Sequence, residues 1–303
     1  MTAQPPVHLA HGAVSATVLP DEGGVLIDLL VHGRPVLART PWASAVAPAA
    51  RPAPTEDEWV ARWRGGWQLC FPTAGQPDAR AQPAQSFHGV ASQAPWLLVS
   101  QSTDSAALGW NDREGLWAER LWRATEHGIS VATRVGNDGD DTRVLAIAEH
   151  LILGGDVLAG PLAIDVDPAT MLRPLDYAGL PAGDATPWPG DDAERFTIVD
   201  AATPARVAAL QTVRPQRVKV TGPHVRAAVS WQGETLPHAL LWQELGVSTE
   251  PPWNGEVMAL GIEPTSTPHG GGTALDDGLV RLPPGGELTW SVDLHVTWTK
   301  ETP

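Results

Sequence analysis

The C-terminal segment from Leu288 to Trp298 constrains the fold more than any other part of the sequence. Apolar and polar residues alternate strictly along it, from Leu288 and Thr289 to Thr297 and Trp298. Alternation with a period of two places successive side chains on opposite faces of a strand. One apolar and one polar face are typical of an antiparallel sheet that packs on one side only. The segment therefore predicts a half-buried antiparallel strand.

Shorter segments with similar alternation occur along the whole chain, with Gly, Pro, Asn and Asp clusters between them. Many short strands with turn signals favour a sandwich or barrel over alternating strands and helices. The further strands that we predict are Ala13–Leu19, Leu26–Val31, Trp96–Ser102, Ala106–Trp110, Ile129–Val135, Val144–Leu153, Arg217–Thr221 and Val225–Trp231.

Signals for helices are scarce. One helix is expected at Glu56–Arg64, where Thr55 and Glu58 form a capping box. Residues 168–215 are rich in Pro, Gly, Asp and Ala, which indicates long connections with a few short strands. Neither an internal repeat nor an interdomain linker is evident. The sequence therefore predicts an all-β fold, a large antiparallel β-sandwich with very little helix, as a single domain over residues 1–303.

Charge and cysteine content restrict the partners and the compartment. The chain has 20 basic and 35 acidic residues, a net charge of -15, so nucleic acid and anionic membranes are unfavourable partners. The one cysteine, Cys70, excludes an intramolecular disulfide and suits a reducing cytoplasm. No apolar run reaches the roughly 18 residues of a membrane span, and Met1–Pro20 lacks a secretory pattern. We expect a cytoplasmic protein, a monomer or a homodimer.

Three segments carry residues that suit acid–base chemistry: His88 before a glycine, His150 in an apolar strand, and Glu263 in an apolar strand before Pro264. Singly, each has an ordinary structural interpretation, as a turn histidine, a solvent-facing histidine or a paired carboxylate. Together, a carboxylate and an imidazole could open a sugar hemiacetal by moving one proton at O1 and another at the ring oxygen. The 14 tryptophans also suit sugar rings, although most are expected in the core.

The order of the motifs resembles the aldose 1-epimerase (galactose mutarotase-like) superfamily from about Gly23 to Trp298. The individual motifs are short, but the ordered set is more specific. The matching segments are Gly23-Gly24, Arg64-Gly65-Gly66-Trp67 with Phe71-Pro72, Phe87-His88-Gly89 with Trp96, His150, Gly261-Ile262-Glu263-Pro264, and Leu282-Pro283-Pro284-Gly285-Gly286-Glu287.

This resemblance implies a β-sandwich with an open cleft on one sheet and an enzyme that interconverts the α and β anomers of a free monosaccharide. It assigns Glu263 as the general base and His150 as the general acid, with His88 bonding the sugar. Four residues are candidates for binding the substrate: Arg64, Trp67, Trp242 and Gln243.

The sequence departs from the family pattern at several positions. Ser92 stands where relatives that act on hexose 6-phosphates carry an arginine, so a neutral sugar is favoured. Leu151 follows the second histidine in place of proline or threonine, and the family's sugar-binding aspartate has only Asp191 and Asp192 as candidates.

No cofactor is expected, because a phosphate-binding loop and a nucleophile elbow are both missing from the sequence. No metal is expected either, because His8 and His11 lack a third ligand nearby. Three alternatives remain: a hexose-6-phosphate 1-epimerase that uses Arg62 or Arg80, a non-catalytic carbohydrate-binding or sensing protein, and a structural sandwich with an unrelated ligand.

Overall fold

The computed structural model describes residues 4–42, 52–77, 86–189, 196, 198–200 and 203–299. Two large antiparallel sheets form most of this part of the chain. The eleven strands of the large sheet are β1 (Val7–His11), β2 (Val14–Leu19), β3 (Val25–Val31), β4 (Arg34–Pro35), β5 (Trp67–Cys70), β11 (Ala148–Leu153), β13 (Met171–Leu175), β14 (Thr186–Pro187), β16 (Arg206–Gln211), β19 (His238–Leu245) and β20 (Met258–Thr265).

The second sheet has nine strands and packs against the large sheet through an apolar core. Its strands are β6 (Leu97–Gln101), β7 (Ser105–Asn111), β8 (Leu116–Thr125), β9 (Gly128–Asn137), β12 (Leu162–Asp165), β15 (Ile198–Val199), β17 (Arg217–Thr221), β18 (Val225–Gln232) and β22 (Glu287–Trp298). Two short strands, β10 (Arg143–Leu145) and β21 (Val280–Leu282), form a separate pair.

The described helices are short: α1 (Glu56–Val60) and the 3-10 helices Val90–Ser92, Gly155–Leu158 and Gly272–Ala274. None of them is long and apolar enough to cross a membrane. The Thr55 side chain accepts a hydrogen bond from the Glu58 amide, as the predicted N-cap requires. The helix ends at Val60, earlier than predicted, and in the turn after it the amides of Arg62 and Trp63 both bond to the Trp59 carbonyl.

The all-β prediction is confirmed. The C-terminal alternation is β22, in which Trp290, Val292, Leu294 and Val296 are buried. The predicted strand Val144–Leu153 is wrong in one respect, since it divides into β10 and β11. At the break, the amide of Ala146 bonds to the carbonyl of Pro72, outside either sheet ladder.

A buried polar bridge joins the two sheets. Glu149 of β11 is fully buried, and its Oε2 accepts hydrogen bonds from Trp67 Nε1 and Arg120 Nη2, each at 2.8 Å. Its Oε1 accepts from Trp290 Nε1 at 2.8 Å and from Thr133 Oγ1 at 3.2 Å. Trp67 belongs to the large sheet, whereas the other three donors belong to the second sheet. The carboxylate therefore ties β11 to the opposite layer.

This bridge also determines which way the next residue faces. Successive side chains of a strand point to opposite sides of the sheet. With Glu149 directed into the core, His150 must lie on the outer face of the large sheet.

Arg120→Met should lower the free energy of unfolding by about 3–5 kcal/mol, because it leaves the Glu149 carboxylate buried without its ionic partner. Chemical denaturation measures the change. Arg134→Met is the matched control, because Arg134 lies on the outer face of the second sheet and pairs with exposed Glu119 and Glu287. Similar losses for both variants would contradict the buried ion pair as the cause of the loss in Arg120→Met.

Candidate active site

The register of the large sheet places His150 and Glu263 side by side. Strands β11 and β20 are antiparallel, with Ala148 opposite Thr265 and Ile152 opposite Gly261. Counting inward from both pairs puts position 150 directly opposite position 263. Residues opposite each other in neighbouring strands have Cβ atoms about 4.5–5.5 Å apart. The His150 imidazole and the Glu263 carboxylate are therefore neighbours on the outer face of the large sheet.

A cleft of about 720 Å³, including its open mouth, covers this pair. Helix α1 and the turn after it supply Glu56, Trp59 and Trp63 to one wall. Loops and strands supply the other lining side chains that matter here, namely Phe87, His88, Tyr177, Leu240, Trp242 and Trp253.

His88 enters the cleft from a strained loop. Its φ of 54° lies in the left-handed region, and the next residue, Gly89, has a φ of 74°. A Cβ at Gly89 would lie 2.2 Å from the carbonyl oxygen of Phe71, so only glycine lets this loop approach β5 closely. The amide of Gly75 donates to His88 Nδ1 at 3.0 Å. The proton of the neutral ring is therefore on Nε2, which can donate to a ligand.

His150 lies against aromatic rings. Its ring centroid is 5.1 Å from that of His88, 5.5 Å from that of Trp59 and 5.9 Å from that of Trp63. Burial lowers the pKa of His150 to about 4 and lowers the pKa of His88 well below its ordinary value, with the neighbouring His150 adding to the effect. His150 Nδ1 is buried and has no hydrogen-bond partner among the described residues. Both rings are consequently neutral at pH 7 in the free protein.

Glu263 is the buried carboxylate of the cleft, with only 6% of its surface exposed. Burial raises its pKa to about 8. Gly261, two residues earlier on the same face, makes room for it. A Cβ there would lie 2.5 Å from Glu263 Oε1 and 3.1 Å from Trp242 Cβ. The carboxylate thus occupies space that any larger residue at position 261 would take.

Four indoles surround the polar groups. Trp63 contacts Trp242 and Trp253 at centroid distances of 5.6 and 6.3 Å, and Trp59 stacks on Trp63 at 5.9 Å. Their rings offer apolar faces that can pack against the C–H groups of a sugar. A cleft with a few convergent titratable groups on an aromatic wall is suited to acid–base chemistry on a small, partly apolar molecule.

Solved structures share this architecture over almost the entire chain. A protein from Synechocystis sp. PCC 6803 superposes with a TM-score of 0.74 at 19% identity, covering 99% of this chain and 98% of the other. A provisionally named aldose 1-epimerase from Escherichia coli K12 gives 0.71 at 16% identity, covering 97% and 99%. A galactose mutarotase-like protein from Lactobacillus casei ATCC 334 gives 0.68 at 13% identity, covering 97% and 100%.

The chain has the galactose mutarotase-like fold. This agrees with the resemblance that the ordered motifs indicated. No protein-family model matches the sequence, and a search among curated proteins finds no significant match. At these identities the likeness concerns the fold, so the activity has to be argued from the cleft.

Within this mutarotase-like fold, the structure brings together the three predicted catalytic residues, His88, His150 and Glu263, and one predicted substrate contact, Trp242. The prediction that Trp67 contacts the substrate is wrong, because its indole is fully buried between the sheets and donates a hydrogen bond to Glu149. Gln243 follows Trp242 in β19 and therefore faces the core, where it is fully buried and accepts from Arg206 Nε at 2.6 Å.

Arg64 also lies outside the lining of the cleft. Its Nη1 bonds to both carboxylate oxygens of Glu22, at 2.6 and 2.7 Å, so its charge is already paired. The alternative phosphate ligand Arg80 and the candidate carboxylates Asp191 and Asp192 lie outside the described residues.

Several lining residues were not found from the sequence, namely Glu56, Trp59, Trp63, Tyr177 and Trp253. Trp59 and Trp63 are spaced i, i+4 around the predicted helix, which could have marked them as one face. Tyr177 and Trp253 lie in irregular connections, where no periodicity assigns a face. Within the described ranges, no three His, Cys, Asp or Glu side chains are grouped as metal ligands would be.

Gly261→Ala should lower the pKa of Glu263 from about 8 towards its ordinary value, because the new methyl group displaces the carboxylate towards the open cleft. A ¹³C NMR titration of the glutamate side chains measures this. Gly109→Ala in β7 is the control, because a Cβ there meets only Val99 Cγ2, at 3.6 Å. An unchanged titration of Glu263 in Gly261→Ala would show that the glycine does not position the carboxylate.

Proposed function

We propose that this protein is an aldose 1-epimerase that interconverts the α and β anomers of a free monosaccharide. The observation that carries the proposal is the pairing of His150 and Glu263 on opposed positions of β11 and β20, inside an aromatic cleft. His88 is the third group, with an Nε2 proton available for a sugar oxygen. Glu263 acts as the base and His150 as the acid.

Ring opening transfers two protons. Glu263 removes the proton from the C1 hydroxyl, the bond from C1 to the ring oxygen breaks, and His150 donates a proton to the ring oxygen. Rotation about the C1–C2 bond of the open aldehyde then presents the other carbonyl face. On closure, the same two groups return their protons in reverse, which forms the opposite anomer. Neither an oxidant nor a covalent intermediate is required.

The two shifted pKa values leave a single proton for His150 and Glu263 to exchange over a broad pH range. With pKa values of about 4 for His150 and about 8 for Glu263, the pair holds one proton between these limits. In the free protein burial places that proton on Glu263 and leaves His150 neutral, so the reactive form, with the proton on His150, is the minor tautomer. Ring opening moves the pair to the form with a neutral imidazole and a neutral carboxyl group. That product form is the one that burial favours.

The lining favours a neutral sugar over a hexose 6-phosphate. Among the described residues that line the cleft there is no arginine or lysine. Arg62, a candidate phosphate ligand, lies near Glu58, with an N–O distance of 3.6 Å. A phosphate would thus meet carboxylates without a cationic clamp.

Glu263→Gln and His150→Gln should each slow anomer exchange by about 10²–10⁴-fold, because each removes one proton-transfer group. NMR saturation transfer between the anomers of glucose and of galactose measures the rate. Glu119→Gln, on the outer face of the second sheet, should exchange at the wild-type rate. Sugar binding by the wild type without faster exchange would instead support a sensing protein.

The pH dependence tests the shared proton. Below about pH 4 both groups are protonated and no base remains, whereas above about pH 8 the pair has lost its last proton and no acid remains. After subtraction of the uncatalysed rate, kcat/KM should therefore be level between these limits and fall on both sides. A value that keeps rising above pH 8 would mean that Glu263 acts alone, without a proton on His150.

A further inference from the structure

The charged groups of the cleft have one sign. Glu56 and Glu263 are its acidic lining residues, and no lysine or arginine of the described chain lines it. His88 and His150 are neutral at pH 7, as their lowered pKa values require. Glu263 shares its proton with His150 in the proposed reaction, so Glu56 is the carboxylate that is left without a role.

Glu56 stands one helical turn from Trp59. Three residues of α-helix advance about 4.5 Å along the axis and return to nearly the same face. Trp59 in turn contacts the rings of His88 and His150, at centroid distances of 4.6 and 5.5 Å. The Glu56 carboxylate accepts a long hydrogen bond from Gln76 Nε2, at 3.4 Å. It has no cationic partner among the described residues.

Further carboxylates lie near the same end of the cleft. Tyr177 lines the cleft, and its pKa is raised to about 12 by burial and by the charges of Glu244, Glu56 and Glu250. The indoles that line the cleft can add to this attraction for cations, because the face of an aromatic ring attracts a positive charge. Carboxylates and indole faces therefore favour the same type of ligand group.

We propose that the preferred substrate is an aldose that carries a protonated amino group, which the Glu56 carboxylate and the indole faces bind. This proposal rests on the aldose 1-epimerase function and narrows its substrate class. An ammonium group donates a hydrogen bond to the Glu56 carboxylate, in which both partners are charged, and makes a cation–π contact with the indoles. An uncharged hydroxyl can also donate to Glu56, but it gains neither the attraction between opposite charges nor the cation–π contact, and a phosphate is repelled.

The test compares kcat/KM for anomer exchange of glucosamine, 6-amino-6-deoxyglucose, N-acetylglucosamine and glucose, below the pKa of the amines. The wild type should favour at least one amino sugar over glucose by about tenfold, because the ammonium adds its own charge to the hydrogen bond that a hydroxyl would also donate. N-acetylglucosamine carries its substituent without a charge and should show no such preference. Added salt should reduce the preference, because screening weakens it.

The variants Glu56→Gln and Glu58→Gln form a matched pair on the same helix. Glu58 does not line the cleft and lies 3.6 Å from Arg62. The ratio of amino sugar to glucose should fall to about one in Glu56→Gln and stay at the wild-type value in Glu58→Gln. Equal wild-type rates for amino and neutral sugars, or a preference that survives Glu56→Gln, would overturn the proposal.

Failure of the amino-sugar proposal and failure of the epimerase function would give different results in this comparison. If the protein accelerates exchange of glucose without preferring an amino sugar, the proposed substrate class is wrong and the epimerase function stands. If it accelerates exchange of none of the four sugars, the epimerase function itself is contradicted.

Discussion

The hydrogen-bonded carboxylate of Glu149 is the interaction on which the site depends. It lies in the core between the sheets, where an unpaired charge would be very costly, and it is satisfied by Arg120 together with two indole N–H groups and Thr133. These donors would lose the Glu149 carboxylate if β11 slipped by one residue, because a slip turns every side chain of the strand to the opposite face. The bridge therefore fixes the direction of His150, the next residue along the chain.

From β11, the antiparallel register determines which residues of the neighbouring strands lie beside His150. Glu263 is opposite His150 in β20, and Leu240 is opposite Glu263 in β19. The rigid strands thus supply His150 and Glu263, the proposed proton-transfer groups, whereas α1 and the loops supply Glu56 and much of the aromatic wall. The proposed catalytic residues therefore lie on the most constrained part of the fold, and the residues proposed to select the substrate lie at its periphery.

The sequence predicted those features that depend on an uninterrupted local pattern. The predictions of strands β17 and β22 are confirmed. Both strands could be recognised because their alternation has no polar residue on the inward side. Strand β8 was not predicted, because Arg120 occupies an inward position that only Glu149 in the other sheet explains. Trp242 and Gln243 were both assigned to the substrate, although neighbours in a strand cannot share a face. The face of Trp67 likewise depends on a partner, Glu149, that is distant in the sequence.

The most direct test of the central claim is a crystal structure of Glu263→Gln with bound glucose, since the variant should hold the sugar without turning it over. We expect O1 within about 3.2 Å of the substituted amide side chain at position 263, and the ring oxygen within the same distance of a His150 ring nitrogen. A sugar bound in the cleft with its anomeric carbon away from both positions would contradict the assignment of base and acid.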